Sequence, residues 1–400
     1  MTERAAATLP SRAEVAIVGA GVMGLALAYN LALRGQKRIV VLDAHYLAWG
    51  ASGRNGGGVR QQWSTEMNIR LMQESVEICA SFAQEMGINV WMRRGGYLFL
   101  ARTEAARARL ERNVALQNRC DVPTRLIDTD EARALVPELD ADRFATACYN
   151  ATDGIVFPWP FLWGYARAAA KRGVAIHTHT AVTAVERTGD GFRLITPRGT
   201  LETPRLVCAA GAWSPRVARL LGVELPDWPM RHEILSTEPL KPFLKPMVSV
   251  IESGLYFSQS LRGEVVGGVS LPEPRPAPGG GGEVRLGSRL AFVETMARGM
   301  IEVMPRLAQV KVVRQWAGPY DISPDGNPLC GETPGVPGFY VCCGFMGHGF
   351  MMAPVVARHY AAHLTGGPTH PLFGAWRPDR FAGGGGGMPD PTEREEMIIG

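Results

Sequence analysis

Three glycines and one acidic residue near the start of the chain have the spacing of a nucleotide-binding turn. Gly19, Gly21 and Gly24 follow the apolar run VAIV, and Asp43 ends the next apolar run, IVVLD. In such a turn the first glycine permits a tight bend, the second lets the backbone approach a pyrophosphate, and the third lets helix and strand pack closely. The acid can accept from a ribose hydroxyl. We therefore predict a dinucleotide site here.

The elements that must position these residues favour this site over a glycine-rich turn without function. Residues 14–43 have the pattern of a buried strand, a helix that ends at Gly35 and a second buried strand. Phosphates would then lie at the helix N-terminus, where free N–H groups and the helix dipole favour anions. The uncharged stretch 15–33 is about as long as a membrane span, but its glycines predict a strand, a turn and a helix instead.

The loop that follows the second strand, GASGRNGGGVRQQW, is unusually rich in glycine. Gly50 and Gly58 bound a stretch that contains five glycines, more than a turn requires. Such a loop can press its backbone against a large flat ligand, and a flexible surface loop is the alternative. We assign Ser52, Asn55 and Gly57 to the cofactor site.

Two later segments carry similar patterns. AAGAWS ends a strand in small residues that let the strand end lie against a ligand, and GFMGHGF precedes a helical run in which Pro354 suits the first turn. A helix N-terminus there would stabilise negative charge on a ligand. The cofactor contacts assigned from the second half of the chain are Val182, Gly211, Trp213, Gly344, Gly347, His348, Gly349 and Met351.

Composition excludes several other classes of protein. The formal net charge is only +4, and no basic stripe with interleaved aromatics is present, so nucleic acid is not an expected partner. The seven cysteines form no CxxC pair, and no signal peptide precedes them, which predicts reduced thiols and a cytoplasmic location. His177 with His179 and His359 with His363 lack the companions of a zinc motif, so no metal is expected.

The nucleotide-type segments lie at both ends and in the middle of the chain, with strand-rich stretches between them. This predicts an α/β fold with a discontinuous Rossmann-like cofactor domain and an interleaved α+β substrate domain built on an antiparallel sheet. The predicted cofactor domain comprises 12–92, 150–226 and 318–376, the substrate domain 93–149 and 227–317, and a disordered tail 377–400.

Five segments together resemble one family. They are VAIVGAGVMGLALAYNLALRG with VVLD, GRNGGGVRQQW, LVCAAGAWS, WAGPYDISPDGNPLCGE and GFYVCCGFMGHGFMMAP. They resemble the flavin amine oxidase family that contains D-amino acid oxidase, glycine oxidase and sarcosine oxidase. The likeness is greatest to sarcosine oxidase, both the monomeric enzyme and the beta subunit, and extends over about 13–365. It implies a Rossmann-like FAD-binding domain and FAD rather than NAD.

The resemblance also implies roles for four residues. Arg60 matches the arginine that binds the substrate carboxylate, although a lone arginine is more often a solvated surface group. Tyr256 lies where relatives place a tyrosine over the flavin face. His348 is expected beside the flavin ring or, alternatively, as a polar residue at the helix entry. Met351 stands where monomeric relatives have a lysine, so it supplies no charge to the substrate.

The sequence departs from the family at its covalent flavin attachments. Gly318 occupies the place of the cysteine that attaches FAD in monomeric relatives, and 156–160 contain no histidine for a second flavin. We therefore expect noncovalent FAD, in a monomer or in a subunit of a larger oxidase complex.

The resemblance implies FAD-dependent oxidation of a secondary or N-methyl amino acid by hydride transfer to flavin N5, with O₂ as acceptor. The imine product would hydrolyse. A dehydrogenase acting on proline, an opine or a D-amino acid is one alternative. A non-catalytic FAD-binding assembly factor is the alternative from another class.

Overall fold

The computed structural model describes residues 8–273 and 284–381. The strands are β1 (Val15–Val18), β2 (Ile39–Leu42), β3 (Gly58–Val59), β4 (Tyr97–Ala101), β5 (Arg125–Ile127), β6 (Thr146–Asn150), β7 (Gly154–Ile155), β8 (Ala175–His177), β9 (Ala184–Thr188), β10 (Gly191–Thr196), β11 (Gly199–Thr203), β12 (Leu206–Cys208), β13 (Trp228–Pro239), β14 (Met247–Val250), β15 (Tyr256–Gln259), β16 (Glu264–Val269), β17 (Val312–Ile322), β18 (Leu329–Glu332) and β19 (Phe339–Cys343). The helices are α1 (Val22–Leu33), α2 (Glu66–Met86), α3 (Glu104–Arg119), α4 (Thr129–Leu135), α5 (Pro158–Lys171), α6 (Ser214–Arg219), α7 (Leu290–Val303), α8 (Gly349–Leu364) and α9 (Leu372–Ala375).

The first sheet has the strand order β18-β19-β12-β1-β2-β8. Its strands are parallel except β18, which joins β19 antiparallel at one edge. Strands β1 and β2 are buried along their whole length, as expected for parallel strands that are covered on both faces. The arrangement confirms the Rossmann-like part of the predicted fold class.

Helix α1 connects β1 to β2 and lies against α5 and α8. It is buried from Val22 to Leu31, because these neighbours cover it on several sides. The apolar stretch 15–33 thus divides into β1, the glycine turn and α1. Within the described ranges, no helix is both long and apolar enough to cross a bilayer.

The second sheet has the order β17-β13-β16-β15-β14-β4-β6-β5. Its neighbours are antiparallel except β14 and β4. Phe292 and Met296 on α7 join Phe257 and Val265 of the sheet in one apolar cluster, because α7 presents an apolar stripe to it. This arrangement confirms the α+β part of the predicted fold class.

The run VAIHTHTAVTAVE does not form a single strand. Its residues contribute to β8 of the first sheet and to β9 of a separate three-stranded sheet. Between them His179 has a positive φ of 51°, and the N–H of Thr180 donates to the backbone carbonyl of Asp43 at 2.7 Å. These features turn the chain and carry Val182 to the cavity described below.

The prediction that Pro354 lies in the first turn of a helix was wrong. Helix α8 begins at Gly349, so Pro354 lies inside it rather than in its first turn. The backbone N–H of Met352 already donates to the carbonyl of His348, which closes the first turn earlier.

The domain boundaries stay predictions. Strands of the first sheet fall in 12–92, 150–226 and 318–376, but β17 crosses the boundary proposed at 317/318. Of the predicted tail, residues 382–400 lie outside the described residues. Arg380 lies within the described part and forms an ion pair with Asp325 at 2.9 Å.

Candidate active site and cofactor cavity

A cavity of about 640 Å³ lies between the first and second sheets. One end, which we call the nucleotide end, is lined by residues at the carboxyl ends of β1, β2 and β12. Ligands of open parallel sheets bind at such strand ends. The other end, which we call the substrate end, is lined by residues of β13, β15 and β17.

The glycine turn at the nucleotide end has the predicted geometry. Gly19 lies at φ 115°, and a Cβ there would overlap the carbonyl of Ala209. Gly21 lines the cavity, and its missing side chain leaves room beside Ser52. Gly24 is set back from the cavity, where a Cβ would overlap the carbonyl of Gly19. It therefore serves helix packing rather than ligand contact.

Asp43 lines the cavity and fixes the glycine turn. Its Oδ2 accepts from the N–H of Ala20 at 2.7 Å, and its Oδ1 accepts from the N–H of His45 at 2.8 Å. Burial raises the pKa of this carboxyl group, and the two backbone donors oppose that rise. The predicted ribose contact would add a further donor to the same carboxylate.

The glycine-rich loop after β2 is held by its own polar side chains. Ser52 Oγ accepts from the N–H of Val22 at 3.0 Å, at the start of α1. Asn55 donates to the carbonyl of Ser52 at 2.5 Å and accepts from the N–H of Gly57 at 2.8 Å. A Cβ at Gly57 would overlap the carbonyl of Val156. Ser52, Asn55 and Gly57 all line the cavity, as predicted.

The remaining nucleotide-end predictions also reach the cavity. Val182, Gly211 and Trp213 line it, and Gly211 has a positive φ of 52°. Sequence reasoning missed Trp49, whose ring lies 5.3 Å from that of Trp213 and stacks on His45 at 3.7 Å. It also missed two cations that line the cavity, Arg54 and Arg216.

The substrate end is a stack of aromatic rings. The His232 ring lies 4.4 Å from that of Tyr320 and 5.7 Å from that of Tyr256, nearly parallel to both. His232 Nε2 is 2.9 Å from Tyr256 Oη, and Nδ1 is 3.0 Å from Ser270 Oγ. Burial lowers the pKa of His232 to about 3 and raises that of both tyrosines, so these rings are uncharged at neutral pH.

Glycines make room for these rings. A Cβ at Gly58 would overlap the Tyr97 hydroxyl, and one at Gly347 would overlap the Tyr320 ring. A Cβ at Gly268 would lie 2.7 Å from His232 Nε2. His232, Tyr320, Tyr97 and Met247 were missed because each is isolated in its strand. Unexplained glycines such as Gly268, inside a strand pattern, were the available sign of close packing.

Some residues of the segment 344–351, which leads into α8, line the cavity, and others lie in the core. Gly347, Gly349 and Met351 line the cavity. Gly344 does not, and its N–H donates to Asp321 Oδ2 at 2.8 Å. Met351 is nearly buried, and its backbone carbonyl accepts from Ser75 Oγ on α2. Gly344 thus acts through the shape of the turn rather than as a lining residue.

Arg60 and His348 do not line the cavity, and the roles predicted for them stay predictions. Arg60 is 1% exposed, so it is not a solvated surface group. Its guanidinium lies 4.4 Å from the Trp63 ring and 5.6 Å from the Phe99 ring, and it donates to the carbonyl of Gln62. His348 Nε2 is 3.4 Å from the guanidinium.

The reason for the burial of Arg60 lies in its neighbours. Asp153, fully buried, accepts from the backbone N–H of Gln61 at 2.8 Å and from the side chain of Gln62 at 3.1 Å. These bonds hold 60–62 against the second sheet. The His348 ring meets the Trp63 ring edge to face at 4.7 Å.

The cavity joins a cradle of glycines, of which Gly19 and Gly57 lie too close to neighbouring backbone to carry a Cβ, to an aromatic chamber. This shape fits an extended dinucleotide with a flat ring system. Residues 14–363 match the family described as FAD dependent oxidoreductase, DAO. The chain belongs to this DAO family. Its cofactor is FAD, and it is an oxidoreductase.

Several known proteins are similar to this chain over most of its length. Sarcosine oxidase subunit beta of Rhodobacter capsulatus is 31% identical over 88% of this chain and 86% of its own length. Human dimethylglycine dehydrogenase is 26% identical over 89% of this chain and 43% of its own length. The structure of L-proline dehydrogenase from P. horikoshii aligns with a TM-score of 0.88 and 30% identity, covering 94% of this chain and 99% of its own.

Within this DAO family member, Gly318 lines the cavity beside Arg54. Gly318 has no side chain, so the position offers no thiol to a flavin. A Cβ there would lie 3.3 Å from that of Arg54. Cys342 also lines the cavity, but burial raises the pKa of its thiol well above the usual range, which disfavours the reactive thiolate. Both observations support the expectation of noncovalent FAD.

Proposed function

We propose that this flavoprotein oxidises a secondary or N-methyl amino acid of the sarcosine type to an imine, which then hydrolyses. Bound FAD supplies the hydride acceptor, flavin N5. The observation that carries the proposal is the aromatic substrate end, formed by the uncharged rings of His232, Tyr256 and Tyr320 and joined by Met247 and Met351. Its apolar walls suit N-methyl or ring methylene groups.

The chain's own residues favour the reactive form of such a substrate. His232 is neutral because burial lowers its pKa to about 3, so the wall next to the amine carries no charge from it. Directly beside these uncharged, buried rings, a free amine is favoured over an ammonium ion. The free amine holds the lone pair that is needed when hydride leaves the adjacent carbon.

We propose that Tyr97 receives the substrate carboxylate, with Arg60 behind it. The Tyr97 hydroxyl faces the cavity at Gly58, and the positive charge of Arg60 lowers the pKa of Tyr97 against the rise caused by burial. A hydroxyl polarised by a nearby cation is a good donor to a carboxylate. Arg60 would then act through Tyr97 rather than by direct contact.

A double-mutant cycle tests this carboxylate site. Tyr97→Phe and Arg60→Gln are each expected to raise KM for sarcosine about tenfold. In the double variant, KM is expected to rise by less than the product of these two increases. If the KM of the double variant equals the product of the two single increases, the two residues act independently, and Arg60 does not act through Tyr97. Arg70→Gln, at an exposed ion pair with Glu66, is the matched control, and FAD content is measured throughout.

The second candidate function is a dehydrogenase that passes electrons to an acceptor other than O₂. Two observations favour it. The L-proline dehydrogenase structure is similar over nearly the whole chain. The five lysines, Lys37, Lys171, Lys241, Lys245 and Lys311, are all absent from the cavity lining among the described residues, so none supplies positive charge where O₂ would react.

An anaerobic substrate screen tests both candidates. Sarcosine, N,N-dimethylglycine, L-proline, glycine and D-alanine are each mixed with the holoprotein, and the visible flavin absorbance is followed. Bleaching by an N-methyl amino acid is expected. Bleaching by none of the amines would contradict both enzymatic proposals and favour a non-catalytic FAD-binding protein. Reoxidation with O₂ or with an artificial one-electron acceptor then separates oxidase from dehydrogenase.

A further inference from the structure

Two neighbouring carboxyl groups, one of which lines the cavity, have no role in the function proposed above. Asp321, on β17, lines the cavity, and its Oδ2 accepts from the N–H of Gly344. Asp227 immediately precedes β13, whose first residue, Trp228, pairs with Ile322. Asp227 is 5% exposed, and the donors near its carboxyl group are its own backbone N–H and the thiol of Cys343.

The groups that face this pair are uncharged. The thiols of Cys208 on β12 and Cys343 on β19 lie beside Asp227, and the thiol of Cys342 lies near Asp321. No Arg, Lys or His of the described ranges forms an ion pair with either carboxyl group. A buried carboxylate without a cation favours its protonated form, and a second carboxylate nearby strengthens that preference.

The pair should therefore hold one proton at neutral pH. Burial raises the pKa of Asp227 to about 8, and the charge of Asp321 adds to the rise. Burial also raises the pKa of Asp321 to about 6, against the backbone N–H groups of Phe345 and Gly344, which lower it. Asp227 then carries the proton, and Asp321 carries the negative charge that faces the cavity.

We propose that Asp227 and the cavity-lining Asp321 form a proton store, and that Asp321 takes up a proton from solvent when two electrons enter the bound cofactor. The electrons add negative charge to a cavity whose substrate end has Met351 in place of a cation. That charge raises the proton affinity of the nearby carboxylate, as any like charge does. The carboxylate gains one proton and becomes a carboxylic acid, while both electrons stay on the cofactor.

Counting protons during reduction tests the proposal independently of any substrate. The holoprotein is photoreduced anaerobically in weakly buffered solution with a pH-indicator dye, between pH 6 and pH 8, the range set by the two carboxyl groups. The wild type is expected to take up more protons per two electrons than Asp321→Asn. One extra proton corresponds to a midpoint potential that falls by about 30 mV more per pH unit.

Two further variants sharpen the assignment. Asp190→Asn changes an exposed carboxyl group in the same way and is expected to match the wild type. Asp227→Asn keeps a neutral group beside Asp321 and is expected to retain the extra uptake near pH 6 to 7. Equal proton uptake in the wild type and Asp321→Asn would overturn the proposal, as would loss of the extra uptake in Asp227→Asn alone.

Asparagine at 321 can still accept from the Gly344 N–H, so the turn is expected to survive. Should Asp321→Asn fail to bind FAD, infrared difference spectra of the wild-type holoprotein replace it. A new carbonyl stretch of a protonated carboxyl group on reduction would support the proposal, and its absence would overturn it.

Discussion

The two ends of the cavity are built in opposite ways. The nucleotide end is formed mainly by backbone, with Gly19, Gly57 and Gly211 at positive φ. The substrate end is formed by side chains, with His232 from β13, Tyr256 from β15 and Tyr320 from β17 stacked on one another. A backbone cradle depends on the spacing of glycines within short segments, whereas a ring stack depends on the register of strands that are distant along the chain.

This difference sets what each end tolerates. Added atoms in the cradle meet backbone that cannot move aside, as the carbonyl of Ala209 shows at Gly19. Changes in the ring stack alter packing and hydrogen bonds while the cradle stays intact. Substitutions at the first end should therefore remove FAD, and substitutions at the second should change the reaction while FAD remains bound.

The largest effect is expected for Gly19→Ala. A Cβ at φ 115° is strained, and it would overlap the carbonyl of Ala209, so FAD affinity should fall roughly 100-fold or more. Gly35→Ala is the control, because Gly35 also has a positive φ, of 84°, but a Cβ there meets nothing within 4 Å. FAD affinity is measured by flavin fluorescence titration. Equal affinities of the two variants would contradict a nucleotide end that depends on close backbone contact at Gly19.

Tyr256→Phe should separate chemistry from cofactor binding. Removing the hydroxyl leaves His232 Nε2 without the partner that lies 2.9 Å away. Loss of one buried hydrogen bond costs about 1–3 kcal/mol, which is roughly 5- to 150-fold in kcat/KM. FAD content should stay unchanged. Tyr46→Phe, at an exposed tyrosine, is expected to leave both quantities unchanged, and an FAD loss confined to Tyr256→Phe would argue against a separate substrate end.

Asp227→Asn should change stability with a defined pH dependence. The pKa of Asp227 is raised from 3.8 to about 8 in the folded chain, so the carboxyl group ionises on unfolding. Its stabilising effect is complete below pH 3.8 and is lost as pH rises towards 8, by up to about 1.4 kcal/mol per pH unit. Asparagine does not ionise.

The variant should therefore gain stability relative to the wild type as pH rises from 5 to 8, within the window set by that pKa. Urea unfolding of the holoprotein at both pH values, at fixed FAD concentration, measures the difference. A relative stability that does not change between these pH values would show that Asp227 is already ionised in the folded chain. Asp190→Asn, exposed, should show no such trend.

Met351→Lys is expected to give the smallest effect. It adds a cation to the lining of the substrate end, where the proposed substrate carries a carboxylate. KM for sarcosine should fall about tenfold, since a charged hydrogen bond contributes about 1.5 kcal/mol. Met351→Leu, which keeps volume and adds no charge, is the control. An unchanged KM in Met351→Lys would place the carboxylate away from residue 351.

The sequence alone identified much of the nucleotide end, because its determinants are local. Gly19, Ser52, Asn55 and Gly57, which the sequence predicts as cofactor contacts, all line the cavity, since a glycine at a positive φ or a capping side chain acts within a few residues of chain. The Rossmann-like sheet followed from the same local pattern, which is confirmed by the parallel order around β1.

The tertiary structure alone decided the substrate end and the place of Arg60. His232 and Tyr320 meet because β13 pairs with β17 antiparallel. A short sequence motif cannot predict a pairing between strands that are so far apart along the chain. Arg60 lies directly after the glycine loop in sequence, yet the rings of Trp63 and Phe99 and its bond to the carbonyl of Gln62 hold it in the core. Local spacing fixes where the backbone bends, whereas the direction of a buried side chain is set by neighbours that only the folded chain brings together.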